Sequence, residues 1–332
     1  MGVTIKDIAK ASNVSIATVS RVINNKDEGV SEVTREKIKK IMKEMDYRPS
    51  GIARGLVTKK THTIGLIVPD ISNPFFPAIV KGIEDSARDN GYNIILCNSD
   101  DNPEKEVTSI NILQEKCVDG IIYIAANNAS NDGVKVLQDS NIPFVHIDRE
   151  SDDTKCSSVS TDGKLGMKKI TNFLLENGHT SIAYMKGSIT KDRLEGFRET
   201  LSEYGVNINE NLIYSGNFRL KSGEKGVKYL LDTGIKFTAV VCENDLIAAG
   251  VIDYLWKNGI KVPDDVSVTG FDDIYIAQLL YPKLTTVSQQ TYEMGRRSVE
   301  SLLKSILTDS AIYEKIVLEP SLVVRDSVKN IK

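Results

Sequence analysis

From Thr61 onward, short apolar runs alternate with amphipathic segments, and this alternation constrains the fold more than any other feature. The runs are apolar almost throughout, which is typical of strands in a parallel sheet that has helices on both faces. The segments between them carry helical periodicity. With 332 residues, the chain is long enough to bury at least two cores. The sequence therefore predicts an α/β fold with two parallel sheets.

The predicted elements follow one another in strand–helix order. The expected strands cover residues 64–68, 94–96, 121–124, 144–147, 182–185, 239–242 and 266–269. The expected helices cover residues 75–90, 103–116, 131–140, 163–177, 191–204, 222–232 and 245–258. Ligands in this architecture bind beyond the carboxyl ends of the strands, so we expect a binding site there.

The first 24 residues have a different character and predict two short helices joined by a tight turn. Thr4 is placed to cap the first helix, and apolar residues recur at helical spacing from Ile5 onward. After a break at Asn13, Ser15 can cap a second helix. This is the helix-turn-helix pattern, in which the second helix enters the major groove of DNA.

The polar side of the second helix offers hydroxyl, amide and guanidinium groups, which suit phosphates and base edges. These groups belong to Ser15, Thr18, Ser20, Arg21 and Asn24. A third helix is expected over residues 32–45, with Val33 among the residues that pack against the first two helices. Ser31 and Thr34 at its start are the expected phosphate contacts.

The charge distribution agrees with a DNA-binding N-terminal end. Residues 1–60 hold 13 Lys and Arg against 7 Asp and Glu, a net charge of +6, whereas the rest of the chain carries −9. A basic segment can neutralise phosphates, while an acidic remainder does not. The basic excess coincides with the predicted helix-turn-helix.

These opening residues resemble the lac-repressor family of bacterial transcription regulators. The family pattern reads close to Thr-(Ile/Leu)-x-Asp-Val-Ala-x-x-Ala-Gly-Val-Ser-x-x-Thr-Val-Ser-Arg-Val-(Ile/Val)-Asn. This chain departs from it by Ile8 for Val and by Ser12 and Asn13 for Ala-Gly. Neither departure falls on a groove-facing position. The resemblance implies a homodimer on a palindromic operator in double-stranded DNA.

Three residues would read bases if the family pattern holds. They are Ile16, Ala17 and Arg21. The first two can offer only apolar contact, for instance to thymine methyl groups, whereas Arg21 can reach a guanine with two hydrogen bonds.

Residues 47–56 look like the hinge segment of the same family, Tyr-x-Pro-Asn-x-x-Ala-Arg-x-Leu. Two glycines and a proline make this segment a poor helix by itself. The resemblance implies that it becomes helical only in the dimer on DNA, where a leucine pair, here Leu56, wedges into the minor groove. The residues expected at the DNA are Thr4, Ser15, Ile16, Ala17, Thr18, Ser20, Arg21, Asn24, Ser31, Thr34, Arg54 and Leu56.

Polar and aromatic residues gather at the expected strand ends. A sugar needs flat aromatic faces for its C–H surface and planar Arg, Asp, Asn or Gln groups for its hydroxyls. The candidates are Asn73, Phe75, Phe76, Asp148, Arg149, Arg193, Phe218, Asn244, Phe271, Asp272 and Gln289. Structural roles are open for the same residues. Asn73 can start a helix, Arg193 can pair with a neighbouring carboxylate, and Asn244 can cap the helix that follows it.

Residues 61–326 resemble the periplasmic sugar-binding-protein fold that the lac-repressor family shares. The motifs of its ribose-binding branch are present: Asn-Pro-Phe-Phe at 73–76, Ile-Asp-Arg at 147–149 and Arg-x-x-Gly-Phe at 193–197. Phe218, Asn-Asp at 244–245, Gly-Phe-Asp at 270–272 and Gln289 complete the match. The resemblance implies that ribose or a close pentose is the effector. Related hexose binders share part of the set.

The resemblance also implies a division of the chain. The helix-turn-helix domain is expected over 1–46, the hinge over 47–60 and a domain for effector binding and dimerisation over 61–332. The last domain would have two lobes, roughly 61–160 with 290–318 and 161–289 with 319–328.

Catabolite control proteins of the same family offer an alternative. They bind a serine-phosphorylated sugar-transport carrier, and residues 92–100 resemble the corresponding segment of that branch. That branch also carries an arginine that meets the phosphate, where this chain has Glu300. A carboxylate there would repel a phosphate. The departure argues against a phosphoprotein corepressor.

Other classes of protein fit less well. The chain has no Gly-x-Gly-x-x-Gly after its first strand, no Walker loop and no Gly-x-Ser-x-Gly, so no enzyme is expected. A secreted sugar-binding protein without regulatory function would lack residues 1–60 and carry a signal peptide. The four cysteines and three histidines are scattered, and no apolar run approaches a membrane helix. We expect a cytoplasmic protein without metal, cofactor or membrane partner.

Overall fold

The computed structural model describes residues 3–24, 29–48, 60–125, 132–147, 156–187, 191–308 and 312–332. The chain forms two compact units, Met1–His62 and Thr63–Lys332. Among the described helices, none has both the length and the apolar character needed to span a membrane. The described residues also contain no cluster of three or more His, Cys, Asp or Glu that could hold a metal ion.

The described residues of the first unit form three helices. They are α1 (Ile5–Ser12), α2 (Ile16–Ile23) and α3 (Glu32–Glu44). Helix α1 ends because Asn13 adopts a left-handed conformation, with φ 56° and ψ 46°, which asparagine tolerates better than most residues. Ile8, Val19 and Ile38, one from each helix, are completely buried in a shared core. The predicted helix-turn-helix is therefore present.

One expectation for α3 is wrong. Val33 does not pack against the other helices, because 81% of its surface is exposed. Ile38, which does face the core, follows five residues later and so lies about 140° around the helix from Val33. Ile41, Met42 and Met45 lie on the buried side, as expected.

Within its described ranges, the second unit forms two parallel sheets and a short antiparallel pair. Its strands are β1 (Thr63–Val68), β2 (Asn93–Asn98), β3 (Gly120–Ile124), β4 (Phe144–Ile147), β5 (Ser157–Thr161), β6 (Ile182–Lys186), β7 (Ile213–Ser215), β8 (Ala239–Cys242), β9 (Ser267–Thr269), β10 (Thr286–Ser288), β11 (Lys315–Leu318) and β12 (Ser321–Val323). Its α-helices are α4 (Phe75–Asp89), α5 (Pro103–Glu115), α6 (Asp132–Asp139), α7 (Gly163–Glu176), α8 (Asp192–Glu203), α9 (Leu220–Asp232), α10 (Asp245–Lys257) and α11 (Thr291–Thr308).

The strand order separates two lobes. The first sheet runs β11-β5-β4-β3-β1-β2, and the second runs β7-β6-β8-β9, with every neighbouring pair parallel. We call the sheet of β1–β5 and β11, with its helices, the first lobe, and the sheet of β6–β9, with its helices, the second lobe. Strands β10 and β12 form the antiparallel pair. The predicted α/β class with parallel sheets is confirmed.

Helix α11 returns the chain to the first lobe and packs directly on α4. The two backbones meet at glycines: a Cβ at Gly82 would lie 2.1 Å from the carbonyl oxygen of Tyr292, and one at Gly295 would lie 2.2 Å from that of Ile79. Larger residues would force the helices apart. This close contact attaches the late helix to a lobe whose other helices come much earlier in the chain.

Candidate DNA-binding surface and effector site

Helix α2 presents an exposed surface that includes all three predicted base-reading residues. Ile16 is 44% exposed, and Ala17 and Arg21 are also exposed. The opposite side of the helix, with Val19 and Val22, is buried in the core of the unit. Ala17 and Arg21, four residues apart, share one face of the helix, and Ile16 lies exposed at its start, so α2 offers both apolar contact and a bidentate donor.

The predicted phosphate-binding hydroxyls begin the helices. The Thr18 N–H donates to the Ser15 hydroxyl at 3.1 Å, and the Thr34 N–H donates to that of Ser31 at 3.3 Å. The hydroxyl oxygens within each pair are 2.9 and 2.8 Å apart. These caps place the four hydroxyls at helix N-termini, where backbone N–H groups and the helix dipole favour anions.

The remaining predicted DNA contacts have local partners. The Thr4 hydroxyl donates to the Asp7 carboxylate at 2.7 Å, and the Asn24 amide donates to the Ser20 carbonyl at 2.8 Å. Both bonds stabilise a helix end and leave the side chains exposed. Arg54 and Leu56 lie outside the described residues.

Arg193 is the centre of the second-lobe site. It projects from the start of α8 and is 7% exposed. Its guanidinium carbon lies 4.0 Å from the centroid of the Phe271 ring and 6.0 Å from that of Phe218. One guanidinium nitrogen donates to the Glu243 carbonyl at 2.5 Å and lies 4.0 Å from a carboxylate oxygen of Asp272. The guanidinium thus lies over the Phe271 ring, within reach of the Phe218 ring and beside an acid.

Asp272 and Gln289 form a buried pair next to this arginine. The Gln289 amide donates to the Asp272 carboxylate at 2.5 Å, and both residues are less than 10% exposed. Asp272 has φ 114°, an uncommon value for a residue other than glycine. Residues in such conformations are over-represented at ligand sites. Five predicted effector residues, Arg193, Phe218, Phe271, Asp272 and Gln289, therefore come together in the second lobe.

Asn244 borders this group and also caps a helix. Its side-chain oxygen accepts the Ile247 N–H at 2.8 Å, which begins α10. Its amide nitrogen donates to the Phe218 carbonyl at 3.3 Å. The structural role considered from sequence is thus present, and it ties Asn244 to an aromatic residue of the site.

The first-lobe residues form a separate group at the start of α4. The Asn73 side chain accepts the Phe75 N–H at 3.1 Å. Phe75 and Phe76 are 5% and 6% exposed, and their rings meet edge to face with centroids 5.3 Å apart. Both rings belong to the core of the first lobe. Asp148 and Arg149, which were expected to complete this side, lie outside the described residues.

Two buried acids lie near the site, of which Glu243 was not predicted and Asp245 was expected only as part of the Asn-Asp motif at 244–245. Glu243 is fully buried at the end of β8 and accepts hydrogen bonds from Tyr184 and Gly187. Asp245 is also fully buried and accepts the Ile274 N–H at 2.8 Å and the Thr286 hydroxyl at 2.5 Å. Burial raises the pKa of Asp245 well above its ordinary value, and the nearby charge of Asp272 raises it further. For Glu243, the available signal was an acid directly after an apolar strand.

Arg219 was also missed, although it follows Phe218 directly. From the second lobe, its guanidinium lies 3.3 Å from carboxylate oxygens of both Asp70 and Asp101 in the first lobe. The backbone holds the two acids together, because the Asp101 N–H donates to the Pro69 carbonyl at 2.9 Å. This arginine therefore links the two lobes at the carboxyl ends of β1 and β2.

Comparison with known proteins identifies the chain. Residues 4–50 match the family of bacterial regulatory proteins called the lacI family, and residues 61–322 match the family of periplasmic binding proteins and sugar-binding domains of LacI proteins. The protein belongs to the LacI family. As a LacI-family protein it is a transcription regulator with a DNA-binding helix-turn-helix and a ligand-binding domain, which confirms the identification made from sequence.

Full-length relatives extend this finding. The HTH-type transcriptional regulator RegA of Clostridium saccharobutylicum is 40% identical over 98% of this chain and 99% of that protein. The ribose operon repressor of Halalkalibacterium halodurans is 37% identical over 98% of this LacI-family chain and 97% of that protein. A crystal structure of the lac repressor dimer bound to operator and the anti-inducer ONPF superposes with a TM-score of 0.89 at 27% identity. It covers 99% of this chain and 100% of that one.

Proposed function

We propose that this LacI-family regulator is a homodimeric cytoplasmic repressor whose binding to a palindromic operator is controlled by a pentose, with ribose favoured. Operator binding is assigned to residues 1–46, the hinge to 47–60, and effector binding and dimerisation to 61–332. By resemblance to ribose regulators, we expect the sugar to close the lobes and release the operator.

The observation that carries the effector proposal is the second-lobe group around Arg193. A guanidinium, a carboxylate and an amide lie together beside two aromatic rings. Planar polar groups exchange paired hydrogen bonds with neighbouring hydroxyls, and aromatic faces cover the C–H surface of a sugar. The 37% identical ribose operon repressor supports ribose as the first sugar to test.

A calorimetric and thermal-shift panel tests the effector. It compares ribose, other pentoses, hexoses, purines and the phosphorylated carrier protein. Ribose at about 100 times its Kd should stabilise the effector domain by about 2.7 kcal/mol, because a ligand that binds only the folded state shifts unfolding by mass action. If only a hexose binds, the site assignment holds and the ribose assignment is wrong.

Two arginines of α8 supply a matched pair of variants for this panel. Arg193→Ala should abolish the ribose-dependent shift. Arg198→Ala should retain it, because Arg198 is exposed and pairs with Glu210 at 2.8 Å outside the site. Arg149→Ala should also abolish the shift. Equal responses from the Arg193 and Arg198 variants would refute the proposed site.

The DNA assignment has its own pair of variants. Arg21→Ala should cost about 1–3 kcal/mol of operator affinity and relax one base position in each half-site. Lys10→Ala, on the exposed side of α1, should leave the sequence preference unchanged. Selection of binding sites from a random pool measures both. An unchanged preference in the Arg21 variant would remove that residue from base reading.

The hinge proposal concerns Leu56. A leucine wedge bends the duplex by separating a central base step, so Leu56→Ala should weaken specific binding and reduce bending. A circular-permutation gel compares the bend angle with that of the wild type. Equal bending would exclude the wedge.

Self-association is supported by exposed apolar residues of the second lobe. Tyr275, Leu279 and Tyr281 lie close together in sequence and are 71%, 64% and 97% exposed. Large apolar side chains exposed in this way commonly mark protein interfaces, and we assign them to contact with a second copy of the chain. Tyr281→Glu should shift sedimentation toward the monomer. An unchanged dimer would place the interface elsewhere.

A phosphoprotein corepressor remains the second candidate because residues 92–100 resemble the catabolite-control branch. The structure provides an observation against it. Glu300 lies 2.8 Å from Arg296 and 3.6 Å from Arg297, so its carboxylate already neutralises the nearby arginines. If the panel shows binding of the phosphorylated carrier and of no sugar, this candidate replaces the pentose.

A further inference from the structure

Glu243 is a buried carboxylate with one donor from the neighbouring strand β6 and one from the residue that follows it. It is completely inaccessible to solvent. One carboxylate oxygen accepts the Tyr184 hydroxyl at 2.8 Å, and the other accepts the Gly187 N–H at 2.7 Å. A buried carboxylate is costly unless it is hydrogen-bonded, and these two bonds attach the end of β8 to the end of β6. Burial and the charge of Glu243 also raise the pKa of the Tyr184 phenol well above its usual value, so the phenol stays a donor.

The Gly187 bond fixes the surface on which Phe218 lies. A Cβ built on Gly187 would be 2.2 Å from the Phe218 ring, so this ring contacts the glycine backbone directly. Any shift of that backbone moves the support of the ring. Because the Glu243 carboxylate accepts the N–H of Gly187, it fixes the backbone against which the Phe218 ring packs.

The backbone of Glu243 also contacts the effector site directly. Its carbonyl accepts the Arg193 guanidinium, which lies over the Phe271 ring. The next residue, Asn244, donates to the Phe218 carbonyl. Arg193 and Asn244 of the proposed effector site are thus linked to Glu243 directly, by a hydrogen bond and by a peptide bond, and Phe218 is linked to it through Gly187 and through Asn244.

We propose that Glu243 is a positioning residue of the effector site, which sets effector affinity through Arg193 and Phe218 without touching the effector. The proposal rests on the proposed function, since it takes these two residues to bind the sugar. A displacement of about 1 Å in a binding group can greatly weaken the function of a site. Removing the Glu243 carboxylate should therefore lower effector affinity by a measurable amount.

The experiment compares Glu243→Ala, Glu243→Gln and the surface control Glu203→Ala in the full-length protein. Glutamine can still accept the Gly187 N–H with its oxygen and donate to the Tyr184 hydroxyl with its nitrogen, so it can preserve the geometry. Glu203 is exposed and pairs with Lys168 at 3.2 Å. Calorimetry with ribose gives the Kd, and a gel shift without sugar gives operator affinity.

We expect Glu243→Ala to raise the Kd for ribose at least tenfold, Glu243→Gln to restore it to within about threefold of the wild type, and Glu203→Ala to leave it unchanged. Operator affinity without sugar should stay the same in all three. Unchanged ribose affinity in Glu243→Ala would overturn the proposal. So would an equal loss of operator affinity and ribose affinity without recovery in Glu243→Gln, because that pattern belongs to a residue that only maintains the fold.

A crystal structure of sugar-free Glu243→Ala separates this proposal from the proposed function. Arg193 and Phe218 should shift by about 1 Å or more relative to the wild type. Unchanged positions would overturn the positioning role whatever the effector is. If the wild type does not bind ribose but the two side chains shift, the choice of effector is wrong and the positioning role stands.

Discussion

Removing the side chain of Ile38 should unfold the DNA-binding unit while leaving the effector domain intact. Ile38 is completely buried between α1 and α2. Replacing a buried isoleucine with alanine costs about 2–5 kcal/mol, from lost burial and from the cavity left behind. A domain of about 45 residues has a total stability of about 2–7 kcal/mol. The loss is therefore comparable to everything that holds the unit folded.

Val33→Ala is the matched control. It removes a β-branched side chain from the same helix, but Val33 is 81% exposed. Surface substitutions of this kind usually change stability by no more than about 0.5 kcal/mol. The contrast between the two variants depends only on which side of α3 faces the core.

Differential scanning calorimetry of the full chain and a gel shift with operator DNA measure the outcome. Ile38→Ala should lower the unfolding temperature of the small unit and abolish operator binding, while the transition of the effector domain and its response to sugar stay unchanged. Val33→Ala should behave like the wild type in stability. Equal destabilisation by both variants would refute the packing described for α3, and an equal shift of both transitions would refute independent unfolding.

Three further predictions concern His179, Arg219 and Ser15. Burial lowers the pKa of His179, so as the pH falls the unfolded state takes up a proton before the folded state does. The free energy of unfolding should therefore decrease below about pH 6.5. His179→Gln should flatten this pH dependence, which urea titrations at several pH values measure. Arg219 links the two lobes through Asp70 and Asp101, so Arg219→Gln should weaken sugar affinity severalfold at low salt and less at high salt. In a protein that already carries Asp70→Asn and Asp101→Asn, the same substitution should have almost no effect on sugar affinity. Additive losses of sugar affinity would exclude the link between the lobes. Ser15→Ala should destabilise the helix-turn-helix by about 1 kcal/mol through loss of a cap, and thermal melts that match the wild type would contradict this.

Elements whose signal lies within a few neighbouring residues could be predicted from the sequence. Strand β8 coincides with the predicted range 239–242, and α10 ends one residue before the predicted end at 258. The cap at Ser15 and the turn at Asn13 were equally readable. In each case, hydrophobic periodicity, a capping hydroxyl or a residue that tolerates a left-handed backbone acts on its own neighbours.

Elements that depend on distant partners were not predicted. Strand β5 reads Ser-Ser-Val-Ser-Thr, which lacks an apolar run, yet it lies buried between β4 and β11. Ser157 meets its polar requirement through the Ile312 carbonyl, to which its hydroxyl donates at 2.8 Å. No local pattern contains a partner that far along the chain. The pair β10–β12 was missed for the same reason, because its two strands lie more than 30 residues apart in sequence. Helix α11 was also missed, although its buried residues Met294, Val299 and Leu302 recur at helical spacing.

The effector site shows the same division between sequence and tertiary structure. From sequence, Arg193, Phe271 and Asp272 were expected near strand ends, because apolar runs locate those ends, whereas Gln289 follows β10, for which no strand was predicted. That Glu243 lies next to Arg193 depends on the tertiary fold, since its donors are Tyr184 of β6 and Gly187 directly after it, and β6 is the strand that pairs with β8. Hydrophobic patterning specifies which face of an element is buried, but hydrogen-bond partners across strands depend on which strands become neighbours.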